Sequence, residues 1–183
     1  MEFDSELNEA LAEHVLASIA RDEFDATCPE LEGYLLGVSE SLVSLAILDD
    51  RVRFNGIEIF RRDQISDVQV PSPHATFYES ALRLRGDRAP ESPPLDLSSM
   101  RSLLESVSKI APLVVIHREV QEPDICEIGQ ITALDAETFE LREIDPDADW
   151  GEEISEFRYD DITRVGFAGE YEGALALVAG VVV

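Results

Sequence analysis

The sequence predicts an α+β chain, mainly β with helices, built as a tandem duplication. Each copy reads as a helix plus a five-stranded, bent antiparallel sheet or small barrel. Three observations predict this. FRRDQISDVQV (60–70) and FRYDDITRVGF (157–167) spell one pattern, F-R-x-D-x-I-(S/T)-x-V. GYLLGVSESLVSLAILD (33–49) falls without a gap on GQITALDAETFELREID (129–145), setting Gly33 on Gly129, Val43 on Phe139, Leu45 on Leu141 and Asp49 on Asp145. YESALRL (78–84) falls on YEGALAL (171–177) once a short insertion around PSPHATF is removed. Matching segments in one order mark a repeat, and 183 residues suffice for two small domains. The copies span 1–86 and 96–183, joined by a linker at 87–95 that overlaps GDRAPESPP (86–94).

Each copy opens on an amphipathic helix. Phe3, Leu7, Ala10, Leu11 and His14 recur at three-four spacing in the first, and Met100, Leu103, Leu104, Val107 and Ile110 in the second. Asp96 or Ser98 is a suitable N-cap for the second helix. A first strand follows, as LASIARDEF (16–24) or PLVVIHREV (112–120), and GYLLGV or GQITAL makes a second. A polar turn at SES or DAE leads to a third, LVSLAIL or TFELREI. In copy one, Asn55-Gly56 between alternating apolar residues predicts a hairpin turn. The repeated FRxDxIxxV supplies a fourth strand, a tight turn over the Asp and a fifth strand. Period two sends its Phe and Ile inward, leaves its Asp to accept backbone N–H groups at the turn, and frees its Arg to cover an apolar rim. YExALxL closes each copy as a short helix.

This order of elements resembles the Sm-like and SH3-like small barrels, one per copy. RNA-binding Sm proteins place an Asp and an Asn around the second-to-third strand turn and a basic-Gly pair near the fifth strand. Here the turn reads Asp135-Ala136-Glu137, and the basic-Gly pair Arg85-Gly86 follows the closing helix. The resemblance therefore implies the barrel without the RNA-reading residues. IHREVQEPDICEIGQI, EIDPDADW and FRYDDITRVGFAGEYEGALALVAG in the second copy also resemble an uncharacterised bacterial protein family of about this length. That likeness implies a recurrent fold and no activity.

Composition narrows the function classes. Asp plus Glu is 39 against 14 for Lys plus Arg, a formal net charge of −25. Such a field repels phosphate backbones and anionic lipid, which disfavours nucleic acid and membrane as partners and favours a basic protein. No apolar run approaches the ~20 residues of a membrane span. MEFDSELNEA is acidic where a secretory leader is basic and then apolar, so a cytoplasmic location is expected. Cys28 and Cys126 form no CxxC pair and read as reduced thiols.

Local constellations were weighed on the same terms. Asp145, Asp147 and Asp149 alternate and Glu156 stands twelfth in DPDADWGEEISE, as in a calcium loop. Trp150 sits where that loop needs Gly, and strands flank it where helices belong, so a solvated acidic loop is the preferred reading and no cofactor is assigned. Copy one carries the NG turn instead, which makes the acidic loop foreign to the repeated unit. His117 in VVIHREV reads as strand packing, with partner or ligand binding as the alternative; His14 reads as a core or boundary histidine and His74 as a surface one. Cys126 lies among Glu122, Asp124 and Glu127, an unfavourable setting for a thiolate paired with His117. The favoured expectation is a non-enzymatic, acidic protein-interaction module, an adaptor or immunity-like protein, with Trp150, Tyr159, Tyr171, Phe77 and His117 as candidate contact residues. The alternatives are a metal- or small-ligand-dependent protein using Asp145–Glu156, and RNA binding through Arg51, Arg53, Arg61, Arg62, Arg83, Arg85 and Arg88. The apolar run LALVAGVVV also admits a homo-oligomer.

Overall fold

The structure is a computed structural model that describes residues 3–21 and 30–181. It has an α+β fold whose strands pair antiparallel, and it divides into two compact units, 1–93 and 94–183. Cys28, Glu23 and the predicted continuation of the first strand to Phe24 lie outside the described residues.

The first unit contains α1 (Asp4–Glu13), β1 (Leu16–Ala20), β2 (Glu30–Val38), β3 (Leu42–Leu48), β4 (Phe54–Arg61), β5 (Asp67–Gln69) and α2 (Ala75–Arg85), with a 3-10 turn at Arg62–Gln64. Its strand order is β5-β1-β2-β3-β4. The second unit contains α3 (Met100–Val107), β6 (Val114–His117), β7 (Cys126–Leu134), β8 (Thr138–Ile144), β9 (Trp150–Arg158), β10 (Arg164–Phe167) and α4 (Glu170–Ala179), with a 3-10 turn at Tyr159–Asp161. Its order is β10-β6-β7-β8-β9. In each unit the first strand pairs with the second and with the fifth, and the sheet is not closed. None of the helices among the described residues is long and apolar enough to cross a membrane.

The same positions bend both sheets. A β-bulge separates Leu35 from Gly37 in β2 and Ile131 from Ala133 in β7. Gly33 and Gly129 sit just before them, and a Cβ at either would run into the carbonyl of Ala46 or Arg142 on the next strand. A glycine inside a strand marks this kind of close backbone approach. Phe60 pairs with Val43, and Phe157 with Phe139. Both phenylalanines are buried, each beneath a guanidinium: Arg21 lies 5.4 Å from the Phe60 ring and Arg118 4.8 Å from that of Phe157. Leu7 and Ala10 of α1 join Val43, Leu45, Phe60 and Val68 in the core of the first unit. Leu103, Leu104 and Val107 of α3 are buried in the second, as are Leu141, Ile162 and Val165.

Several expectations give way to the structure. Asn55-Gly56 is not a hairpin turn but lies inside β4, where Leu48 opposes Phe54 and Ala46 opposes Ile57, so three steps along β4 match two along β3. Gly56, at φ 91, takes up the extra residue of that bulge. The chain reverses earlier, because the Asp49 Oδ1 accepts the N–H groups of Arg51 and Arg53 and Val52 turns left-handed at φ 58. The second unit repeats this turn: Asp145 Oδ1 accepts from Asp147 and Asp149, and Ala148 has φ 64. The acidic loop is therefore not foreign to the unit. Ser99, rather than Asp96 or Ser98, caps α3 by accepting from the Ser102 N–H, while Asp96 accepts from Ser98. His14 is exposed at the left-handed C-terminus of α1, stacked on Tyr34 at 5.0 Å, since the helix ends one residue before its side chain could turn inward.

Candidate partner-binding surface

The acidic residues of the second unit are set out by its last hairpin. Glu143–Glu156 holds seven carboxylates and no Lys, Arg or His. Asp145, Asp147 and Asp149 form the β8–β9 turn and are exposed, and Glu152, Glu153 and Glu156 are exposed along β9. The turn is built on the Asp145 carboxylate, which gives the alternating aspartates a structural role. Glu156 opposes Glu140 across the hairpin while Trp150 opposes Ile144, a separation of four β8 steps (144 − 140) or roughly 13 Å at the ~3.3 Å rise of a strand. The four residues of the calcium-loop pattern do not converge. Among the described residues no group of three or more His, Cys, Asp or Glu side chains is placed to hold a metal ion.

Behind the turn lies α4. Leu175 and Ala176 pack with Leu113 and Ile144, and Ala148 and Trp150 close against them. The opposite side of the helix has no cover among the described residues: Leu177 is 81% exposed, Val178 73% and Tyr171 53%. No basic residue follows Arg164. The second unit thus carries both an acidic turn and an exposed apolar helix side. The first unit offers a partial counterpart on α2, where Leu82 is buried and Leu84 is 81% exposed, with Phe77 exposed as well.

The remaining candidates fall elsewhere. Tyr159 is buried, not a surface contact, because its ring stacks on Phe139 at 5.7 Å and its hydroxyl donates to the Asp135 carbonyl at 3.1 Å. Burial raises its pKa, against the opposing pull of Arg101. Trp150 is half-buried with the Arg142 guanidinium 4.9 Å from its ring. His117 is half-buried on β6, directly opposite Cys126 on one side and Arg164 on the other. The Arg164 Nη2 points at its Nδ1 from 3.3 Å, while Arg164 Nε pairs at 3.2 Å with the buried Glu119. The fold sets the exposed Cys126 opposite this residue on β7, and the guanidinium faces one of the two ring nitrogens.

The arginines of the first unit do not pool into a basic patch. Arg51 pairs with Asp49 at 3.0 Å, Arg62 with Asp4, and Arg85 with Asp87 at 3.3 Å while also donating to the Val52 carbonyl. A cavity of about 350 Å³ is lined by Arg61 and Arg62 but equally by Glu40 and Asp63, over Phe3 and Ile65. His74, exposed at the start of α2, bonds Glu32 at 2.5 Å, and that carboxylate raises its pKa.

Sequence reasoning named Tyr171 and the apolar run LALVAGVVV but not the one-sided burial of α4, and it missed the exposed run of β9. The signal for the first was present, since both copies of YExALxL place two leucines two residues apart and a helix can bury only one of them. Comparisons with family models, with curated proteins and with solved structures found no match.

Proposed function

We propose that the chain is a non-enzymatic, acidic protein-interaction module of the cytoplasm, and that its second unit presents the face that takes a basic protein partner. The observation that carries this is the presence on that unit of seven carboxylates with no Lys, Arg or His along Glu143–Glu156, together with the exposed Tyr171, Leu177 and Val178. Carboxylates steer a cationic partner and set its orientation, and apolar side chains at the centre of a contact supply affinity. The role is that of an adaptor, or of an immunity-like protein that covers a basic surface on another protein.

The same proposal takes the units as two copies of one module, each a small barrel of the Sm-like or SH3-like kind. In its support, the units share strand order, bulges, the crowded glycine, the Asp-built turn and the arginine over phenylalanine.

The test is affinity capture from the source cells with the tagged chain, read by quantitative mass spectrometry. We expect a specific basic protein, released at about 1 M salt, where the screening length shrinks to ~3 Å. It should be lost from a Glu152→Lys, Glu153→Lys, Glu156→Lys variant that remains folded. Capture of only acidic or neutral proteins, or retention by the reversed variant, overturns the reading.

A further inference from the structure

Within the second unit β9 ends the strand order, and its one pairing among the described residues is with β8. The other edge of β9 is a row of backbone donors and acceptors, a template for one more strand. Its side chains are open too: Gly151, Glu152, Glu153, Ile154 and Glu156 are all exposed. Ile154 and Glu156 share one face and Phe157 turns to the other, where it is buried, whereas Gly151-Glu152-Glu153 bulge opposite the single Glu143.

The acids are not demanded by the strand itself. Register equates Ile57 with Ile154, both opposite matched positions of the preceding strand, and equates Ile59 with Glu156. β4 thus makes the same strand with a buried isoleucine where β9 has a glutamate, and with Asn55-Gly56 where β9 has Gly151-Glu152-Glu153. The same charges decide what can occupy the edge. Two copies of β9 side by side would set glutamates against glutamates, which penalises a second copy of this chain. A cationic strand meets no such penalty.

We propose that the outer edge of β9 receives an extended segment of the partner as an added strand, with an apolar and a basic residue at alternate positions facing Ile154 and Glu156 and a further basic residue beside the Glu152-Glu153 bulge. This rests on the basic-partner reading above and specifies how that partner is held.

The probe is a synthetic peptide with Lys, Val and Lys at alternate positions among threonines, used with the full chain at low salt. Two further peptides carry backbone N-methyl groups, one on each set of alternate amides. We expect the parent peptide to bind and to slow amide exchange in β9. One methylated peptide should lose binding and the other keep it, because only one set of amides can face the strand edge. Glu152→Gln with Glu156→Gln should weaken the parent roughly tenfold. Equal binding of both methylated peptides, or exchange protection away from β9, overturns strand addition while leaving a basic partner in place. Failure of the parent peptide to bind overturns it as well. If no basic protein is captured from cells either, the function proposed above falls with it.

Discussion

A guanidinium in one unit and a phenol in the other reach for the same backbone oxygen. Arg62 Nη1 donates to the Ser39 carbonyl and the Tyr159 hydroxyl to that of Asp135, each at 3.1 Å, and both steady the turn between the second and third strands. This accounts for the one position where FRRD and FRYD part company: the need is a long side chain ending in a donor, and two residue types meet it. Gly33 and Gly129 meet a stricter need. Gly33→Ala or Gly129→Ala forces a Cβ into a neighbouring carbonyl, and we expect each to cost about 1–3 kcal/mol in chemical denaturation. A neutral result at either would mean the strands can move apart there. His74 gives a pH dependence whose sign follows from its raised pKa. The folded state favours the protonated ring, so the contribution is complete below about pH 6.5, the ordinary histidine value, and is lost as pH rises through the elevated folded value. The stability gap between the wild-type chain and His74→Gln should accordingly narrow between mildly acidic and alkaline buffer. A gap that widens with pH would contradict the Glu32 pairing.

At the level of elements, the turn between third and fourth strands shows what a sequence conceals. Helices, most strands and the closing YExALxL helix were legible, because apolar spacing is local and each stripe finds a core. The hairpin was not. Asn55-Gly56 carries the composition of a tight turn, yet Asp49 had already closed the chain by capping two amides, and burial of β4 against β3 then claimed the NG pair for a bulge. The equivalent Asp145 fits a calcium-loop pattern as the alternative to a solvated loop for the same reason: a carboxylate that ties its own backbone looks, in sequence, like one that awaits a cation. The turn stores left-handed strain at Val52 and Ala148. The strain is worth roughly 1–2 kcal/mol, against roughly 0.5–1 for the added freedom of glycine in the unfolded chain. Ala148→Gly should therefore raise stability by about 0.5–1 kcal/mol, measurable as a higher denaturant midpoint at unchanged slope. Val52→Gly should not, since that side chain is buried with Tyr34 and Leu82.

For the whole molecule, the charge of −25 could be counted from the sequence, but its placement could not. Arg51, Arg62 and Arg85 of the first unit pair with local carboxylates, whereas the acids of β9 and its turn have no cation along their own stretch of chain. The nine-residue β9 thus leaves a long strand margin open to solvent, and three glutamates on it hold identical neighbours apart. Acid removes that protection. As the buffer approaches the sequence pI of about 4.2, the net charge that keeps copies apart falls away and the open strand edge becomes able to pair. Light scattering should show ordered association setting in on acidification, reversed by returning to neutrality, and Glu152→Gln with Glu153→Gln and Glu156→Gln should shift its onset to higher pH. What keeps the chain dispersed in a crowded, neutral solution would then be the same trio of carboxylates that selects its guest.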